Sequence, residues 1–304
     1  MSSTNLLITD RNEIRKNCGK SEEDVLKDIE IIKEWLKTQN HLPEIPTNNM
    51  IEFFLTNNKF SIEKTKKNLD MYYTVHSLIP EMYKNVHPCK ADLDAGYKTG
   101  TALCIPVLTP SKHRITIFRY ENVDSDKADI KRIFAHVLRN VYEVRMHEDL
   151  AMGEIYVIDC ENLKLDIVLK ITPVLLKQCA FVFENVHSFR LHAIHYINPP
   201  GYFHNTITLL KSMLSKKLSE RVYSHKTIDD LTKYIPLDLL PSDYGGKQKS
   251  CKELAELWKQ KMFEYKDRFD QLESMKINEE LRPEKLQNDE LLGYHGNFKK
   301  LETD

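Results

Sequence analysis

Ala193 to Gly246 reads AIHYINPPGYFHNTITLLKSMLSKKLSERVYSHKTIDDLTKYIPLDLLPSDYGG, and it sets an apolar strand, an amphipathic helix and a basic cluster in one run. The strand is expected over Leu191 to Asn198. It is stopped by Asn198-Pro199-Pro200-Gly201, because proline has no N–H to donate to a ladder. In the helix that follows, Phe203, Ile207, Leu210 and Leu214 recur at helical spacing, widened by Leu209 and Met213, while His204, Asn205, Thr208 and Lys211 fall on other faces. Lys216, Lys217, Arg221, His225 and Lys226 come next with Glu220 as the only acid among them, a local positive patch on a chain of net charge -1. The order suggests a greasy pocket, a movable cover over it and an electrostatic handle suited to a membrane surface.

Working outward, strands are expected at Ala102 to Leu108, Ile115 to Tyr120 and Gly153 to Asp159, each short and rich in β-branched or aromatic residues. Between them Lys127 to His147 carries Ile130, Ile133, Phe134, Val137, Leu138 and Val141 on one helical stripe. A second helix is expected to start with Thr172 as cap and Pro173 as its first residue and to run to 186. Strands alternating with helices imply an α/β fold with a parallel or mixed sheet. Upstream the pattern is purely helical: Ser21 caps a segment with Val25, Ile29, Ile32 and Leu36 on one face, and Met50 to Leu55 and Ser61 to Val75, the latter capped by Ser61, follow. Cys251 to Lys276 is again helical, through Leu254, Leu257, Trp258, Met262 and Tyr265, before a polar tail to Asp304. The expected division is a helical bundle at 1–90, an α/β domain at 91–250, and a C-terminal helix with its tail at 251–304.

Composition narrows the function classes. With 41% hydrophobic and 29% charged residues and almost no net charge, the chain is not a general nucleic-acid binder. No window has the apolar length of a spanning helix and Met1 to Cys18 lacks a signal-peptide core, which points to a cytoplasmic protein. Six cysteines without paired metal-ligand spacing read as reduced thiols, so no metal is expected. Only nine glycines are present, with neither a phosphate-binding loop nor a nucleophile elbow, and neither an enzyme nor a bound cofactor is expected. The clustered apolar residues leave two readings open, ordinary core packing and the walls of an apolar pocket. The candidate walls are Ile133, Phe134 and Val137, then Ile158 and Leu163, then Cys179, Val182 and Phe183, then Phe189, Leu191 and Ile194.

The strand end IHYIN-P, the helix after it, KKLSERVYSH and LPSDYGG, with FFLTNNKFSIEKTKKNLDMYY at Phe53 to Tyr73 and ITPVLLKQCAFVF at Ile171 to Phe183, together resemble the CRAL-TRIO lipid-transfer family, most of all its α-tocopherol- and retinaldehyde-binding members. The resemblance covers residues 20 to 250. It implies a helical lid, formed by Phe203, Ile207, Leu210 and Leu214, over a hydrophobic pocket that His136 and Asn140 also line. It further implies a phosphoinositide-binding cleft at Arg190, His192, Lys217 and Arg221. The implied partners are one hydrophobic small molecule, such as a tocopherol or retinoid, and a phosphoinositide-containing membrane, with the protein monomeric and transiently peripheral. A phosphatidylinositol or phosphatidylcholine carrier, or a phosphoinositide-responsive adaptor, is the alternative. Two departures stand out: Thr56-Asn57-Asn58 replaces the family's arginine-rich run, and His187-Ser188 replaces a proline before Arg190.

Overall fold

The computed structural model describes residues 6–90, 100–121, 126, 128–187 and 190–284. Among the described residues four helices lead, α1 at Arg11–Asn17, α2 at Glu22–Lys37, α3 at Asn48–Asn57 and α4 at Ile62–Leu78, with one further helical turn at Pro80–Tyr83. Ser21 opens α2 with a reciprocal capping box to Asp24, and Val25, Ile29, Ile32 and Leu36 are its buried stripe. Ser61 occupies the N-cap of α4 without forming the side-chain cap bond its type suggests.

Five strands follow, β1 at Gly100–Cys104, β2 at His113–Tyr120, β3 at Gly153–Asp159, β4 at Leu191–Ile197 and β5 at Val222–His225. They hydrogen-bond in chain order, β1 antiparallel to β2 and the remaining pairs parallel, which gives the expected mixed α/β sheet. β1 begins and ends earlier than the 102–108 expectation, because Ile105 onward turns away through Pro106 to reach β2. β5 was not expected at all. The segment Arg221 to Lys226 reads as part of the positive patch, yet Val222 and His225 are buried and pair with β4.

Both long helices on the sheet contain a π segment. Ile130–Ala135 passes into His136–Val141 and then Tyr142–Glu148, and Pro173–Phe181 passes into Val182–Val186. Thr172 caps the second as expected, its hydroxyl accepting from the Leu175 N–H. Beneath the sheet, Arg114 and Arg145 share the buried Asp149 carboxylate, and Arg145 also pairs with Glu154. The C-terminal helix Cys251–Glu264 lies against β1, with Trp258 Nε1 donating to the Cys104 carbonyl. Beyond it Arg268 bridges Glu44 and Glu143, and Arg282 pairs with Asp70 of α4, so the end of the described chain ties the helical bundle to the α/β part.

Candidate functional site

A cavity of about 520 Å³ lies between the sheet, the two π-containing helices and the helix His204–Met213. That volume is within the roughly 300–1,000 Å³ typical of small-molecule sites. Each wall follows from a simple periodicity. From the first helix come Ile130, Ile133, Phe134, Val137 and Leu138, and from the second Leu176, Cys179, Ala180, Phe183 and Glu184, both at i, i+3, i+4, i+7, i+8. Strand alternation supplies Phe118 and Tyr120 from β2, Tyr156 and Ile158 from β3, and Ile194 and Tyr196 from β4. Leu191 joins the same lining despite its odd spacing from Ile194, because the β3–β4 register shifts at Glu154/Ile155.

The fourth side is the helix after the Asn198 to Gly201 breaker. Phe203, Thr206, Ile207, Leu210 and Leu214 close the cavity there, with Phe203 and Ile207 buried. Asn198 takes a left-handed backbone (φ 52), which asparagine tolerates better than most residues, and its N–H donates to the His225 carbonyl. Tyr202 anchors the start of the helix by donating to the Leu163 carbonyl at 2.6 Å, and Ser215 N–H donates to Glu184 at its far end.

Eight of the expected wall residues therefore meet in one cavity: Ile133, Phe134, Val137, Ile158, Cys179, Phe183, Leu191 and Ile194. Four others do not. Leu163 is buried behind the wall, where it offers its carbonyl to Tyr202, and Val182 is fully buried off the lining stripe. His136 and Asn140 are buried in the π segment on the reverse face, and Asn140 Nδ2 donates to the Val86 carbonyl at 2.8 Å. His136 lies two residues from both Phe134 and Leu138, and Asn140 two from Leu138, a spacing that sets side chains on different faces of a helix. Burial holds the His136 imidazole down at about 4, so it is neutral at physiological pH. Phe189 lies outside the described residues.

A second cavity of about 480 Å³ opens beside the first and is polar. All four expected basic-cleft residues, Arg190, His192, Lys217 and Arg221, line it. They are joined by Lys59, Lys64 and Lys67 from the loop before α4 and its first turns, by His113, and by one acid, Glu184. Lys59, Lys64, Lys67, Arg190 and Lys217 have no ion-pair partner among the described residues. The short helix that carries Lys217 ends at Ser219, and Arg221 precedes β5 and donates to the Leu191 carbonyl. His113 and His192 stack with ring centroids 4.0 Å apart, and burial, then the neighbouring His192 and Arg190, push His113 down to about 4. Lys64, Glu184, Leu191, Lys217 and Leu218 border both cavities, so the two share a wall.

The CRAL/TRIO domain model matches residues 98–246, and the Pinta-like, UBA domain model matches residues 21–93. The chain belongs to the CRAL-TRIO lipid-transfer family. It is similar to Clavesin-1 of Xenopus laevis, 26% identical over 72% of this chain and 67% of that protein. Clavesin-1 of Rattus norvegicus is 28% identical over 73% of this chain and 64% of its own length, and Clavesin-2 of Homo sapiens 22% over 72% and 68%. This chain thus spans about two thirds of the length of the curated relatives it matches. These relatives are clavesins, where the motifs had suggested the α-tocopherol- and retinaldehyde-binding members. Among solved structures it is similar to that titled "Crystal structure of Sfh5", with a TM-score of 0.47 and 14% identity over 82% of this chain and 93% of that one.

All six cysteines are free thiols. Among the described residues no group of His, Cys, Asp or Glu side chains is placed to hold a metal ion, and no helix is long and apolar enough to cross a membrane. Burial raises the Cys160 and Cys179 thiols well above their ordinary range, which leaves them protonated and unreactive as nucleophiles.

Proposed function

We propose that this chain is a cytoplasmic carrier that encloses one hydrophobic small molecule, of tocopherol or retinoid size, and transfers it at phosphoinositide-containing membranes. In this reading residues 91–250 hold the ligand, 1–90 complete the membrane-facing cleft, and the described part of 251–304 braces the two. The helix of Phe203, Ile207, Leu210 and Leu214 is the lid, and Arg190, His192, Lys217 and Arg221 grip the phosphoinositide. The observation that carries it is the wall shared by the apolar cavity and the basic cleft through Lys64, Glu184, Leu191, Lys217 and Leu218. A headgroup held on one side of that wall lies beside the lid that confines the ligand on the other.

The transfer is physical, with no bond made or broken, and the carrier works as a monomer that visits the membrane transiently. Native mass spectrometry of the protein from its own cells tests the first half: one bound mass of a single-chain or ring lipid is expected, whereas a phospholipid mass indicates a phospholipid carrier and none indicates an adaptor. Hydrogen exchange tests the lid. Amides 200–215 are expected to exchange faster with phosphoinositide vesicles than without, and protection equal to that of β4 in both conditions would refute the opening.

A further inference from the structure

One end of the apolar cavity is not apolar. Tyr120 closes β2 and Tyr196 lies one residue from the end of β4, and both side chains point into the cavity beside Ile158. They are 5% and 6% exposed, and neither hydroxyl has a hydrogen-bond partner among the described residues. Tyr156, also in the lining, differs in that its hydroxyl is satisfied by Tyr142 at 3.3 Å. An unbonded phenol in a largely apolar enclosure is unfavourable, and although Thr206 and Ser215 also line the cavity, neither bonds either phenol. The missing partner has to come from what fills the cavity.

Position and charge define that partner further. The charged residues of the lining, Lys64, Glu184 and Lys217, are exposed and stand at the end shared with the basic cleft. Leu191 marks that end on β4, and Tyr196 is five residues farther along, roughly 16 Å at ~3.3 Å per residue. Burial, followed by the neighbouring thiols Cys160 and Cys179, pushes both phenols above their usual range, so they remain protonated and can donate. No cation lines the cavity at this end to neutralise a buried carboxylate or phosphate.

We infer that Tyr120 and Tyr196 form the seat for a neutral oxygen, a hydroxyl or carbonyl, at the inner end of the bound molecule. The ligand then enters polar end first, its hydrocarbon running back past Ile194 and Ile207 toward the lysine-lined mouth. This inference deepens the carrier reading and rests on it.

The test is displacement of the fluorescent probe N-phenyl-1-naphthylamine from the full chain by dodecan-1-ol, dodecanal, dodecane and dodecanoate. Wild type is compared with Tyr120→Phe, Tyr196→Phe and the double variant, which delete the hydroxyls and keep the rings. The double variant is expected to weaken the alcohol and the aldehyde about tenfold, the size of one to two neutral hydrogen bonds. Dodecane, which has no oxygen, and dodecanoate, whose charge suits the lysines at the mouth, are expected to change less than about twofold, because neither draws on the phenols. Unchanged affinity for the alcohol overturns the seat. Equal weakening of all four overturns it too, since the tyrosines would then act only on cavity shape. If the naphthylamine does not enter wild type, the carrier reading itself fails and the seat goes with it.

Discussion

Replacing Lys59, Lys64 and Lys67 together by alanine tests the basic cleft where the structure adds most to the sequence. The cleft brings six cations, Lys59, Lys64, Lys67, Arg190, Lys217 and Arg221, to face one carboxylate, Glu184. Each basic residue at an anionic lipid surface contributes on the order of 1 kcal/mol, so the triple variant is expected to lose about 3 kcal/mol, roughly 150-fold in vesicle affinity. Lys217→Glu changes the charge by two and is expected to cost about 2 kcal/mol, roughly 30-fold. Arg221 is a poorer probe, because its guanidinium also bonds the Leu191 carbonyl and a substitution would disturb β4. Co-sedimentation with phosphatidylcholine vesicles, with and without phosphatidylinositol bisphosphate, measures the loss. Displacement of a hydrophobic fluorophore shows that the apolar cavity is intact. Because the charges are exposed, the difference between variants should shrink as salt shortens the Debye length from about 8 Å at 0.15 M to about 3 Å at 1 M. Triple-variant binding within about threefold of wild type, against the roughly 150-fold expected, would refute the assignment of the N-terminal lysines to the cleft.

Three further outcomes are expected. Asp149→Asn strips the buried Arg114 and Arg145 of a shared carboxylate and should destabilise by about 3–5 kcal/mol in urea unfolding; burial alone would raise Asp149, but the two guanidinium groups hold it at about 2 against an ordinary 3.8, so its contribution is complete above pH 4 and lost as pH falls from there toward 2, an acid transition the variant should lack. Burial first, then His192 and Arg190, put His113 at about 4, and burial first, then Arg221, lowers His192, so both gain charge only in acid; phosphoinositide-vesicle binding should rise more steeply as pH falls from 6 to 4 in wild type than in the His113→Asn, His192→Asn double variant, and parallel profiles would exclude them. Arg139 is buried with Nε and Nη2 unbonded and only a 3.4 Å contact to Asn140, so Arg139→Met should leave the melting temperature unchanged or raise it, whereas a fall of several degrees would show that the guanidinium has a compensating partner.

The cavity was legible in the sequence to the extent that its walls are local. Ile133, Phe134 and Val137 face one way because a helix repeats, as do Cys179 and Phe183 on the next helix, and a period is visible in one sequence. His136 and Asn140 entered the pocket through the resemblance, whereas the same helical period, which sets residues two apart on different faces, puts both off the stripe. β5 and the lysines of α4 failed for a non-local reason. Val222 to His225 carries too little apolar pattern to read as a strand, and its burial exists only through pairing with β4. Lys59, Lys64 and Lys67 carry no signal of their own in the sequence, and they join the cleft only because the segment around α4 lies beside Arg190, far along the chain. Tyr120 and Tyr196 mark a third limit. Alternation alone places both on the face of Phe118 and Ile194, but tyrosine counts as core in any hydrophobic pattern, and an unmet hydroxyl emerges only once every neighbour is in place. The features hardest to read from sequence, a basic rim assembled from two distant segments and two unsatisfied phenols, are the ones that distinguish this pocket from an ordinary core, because selectivity for a ligand lies in the polar exceptions to an apolar pattern.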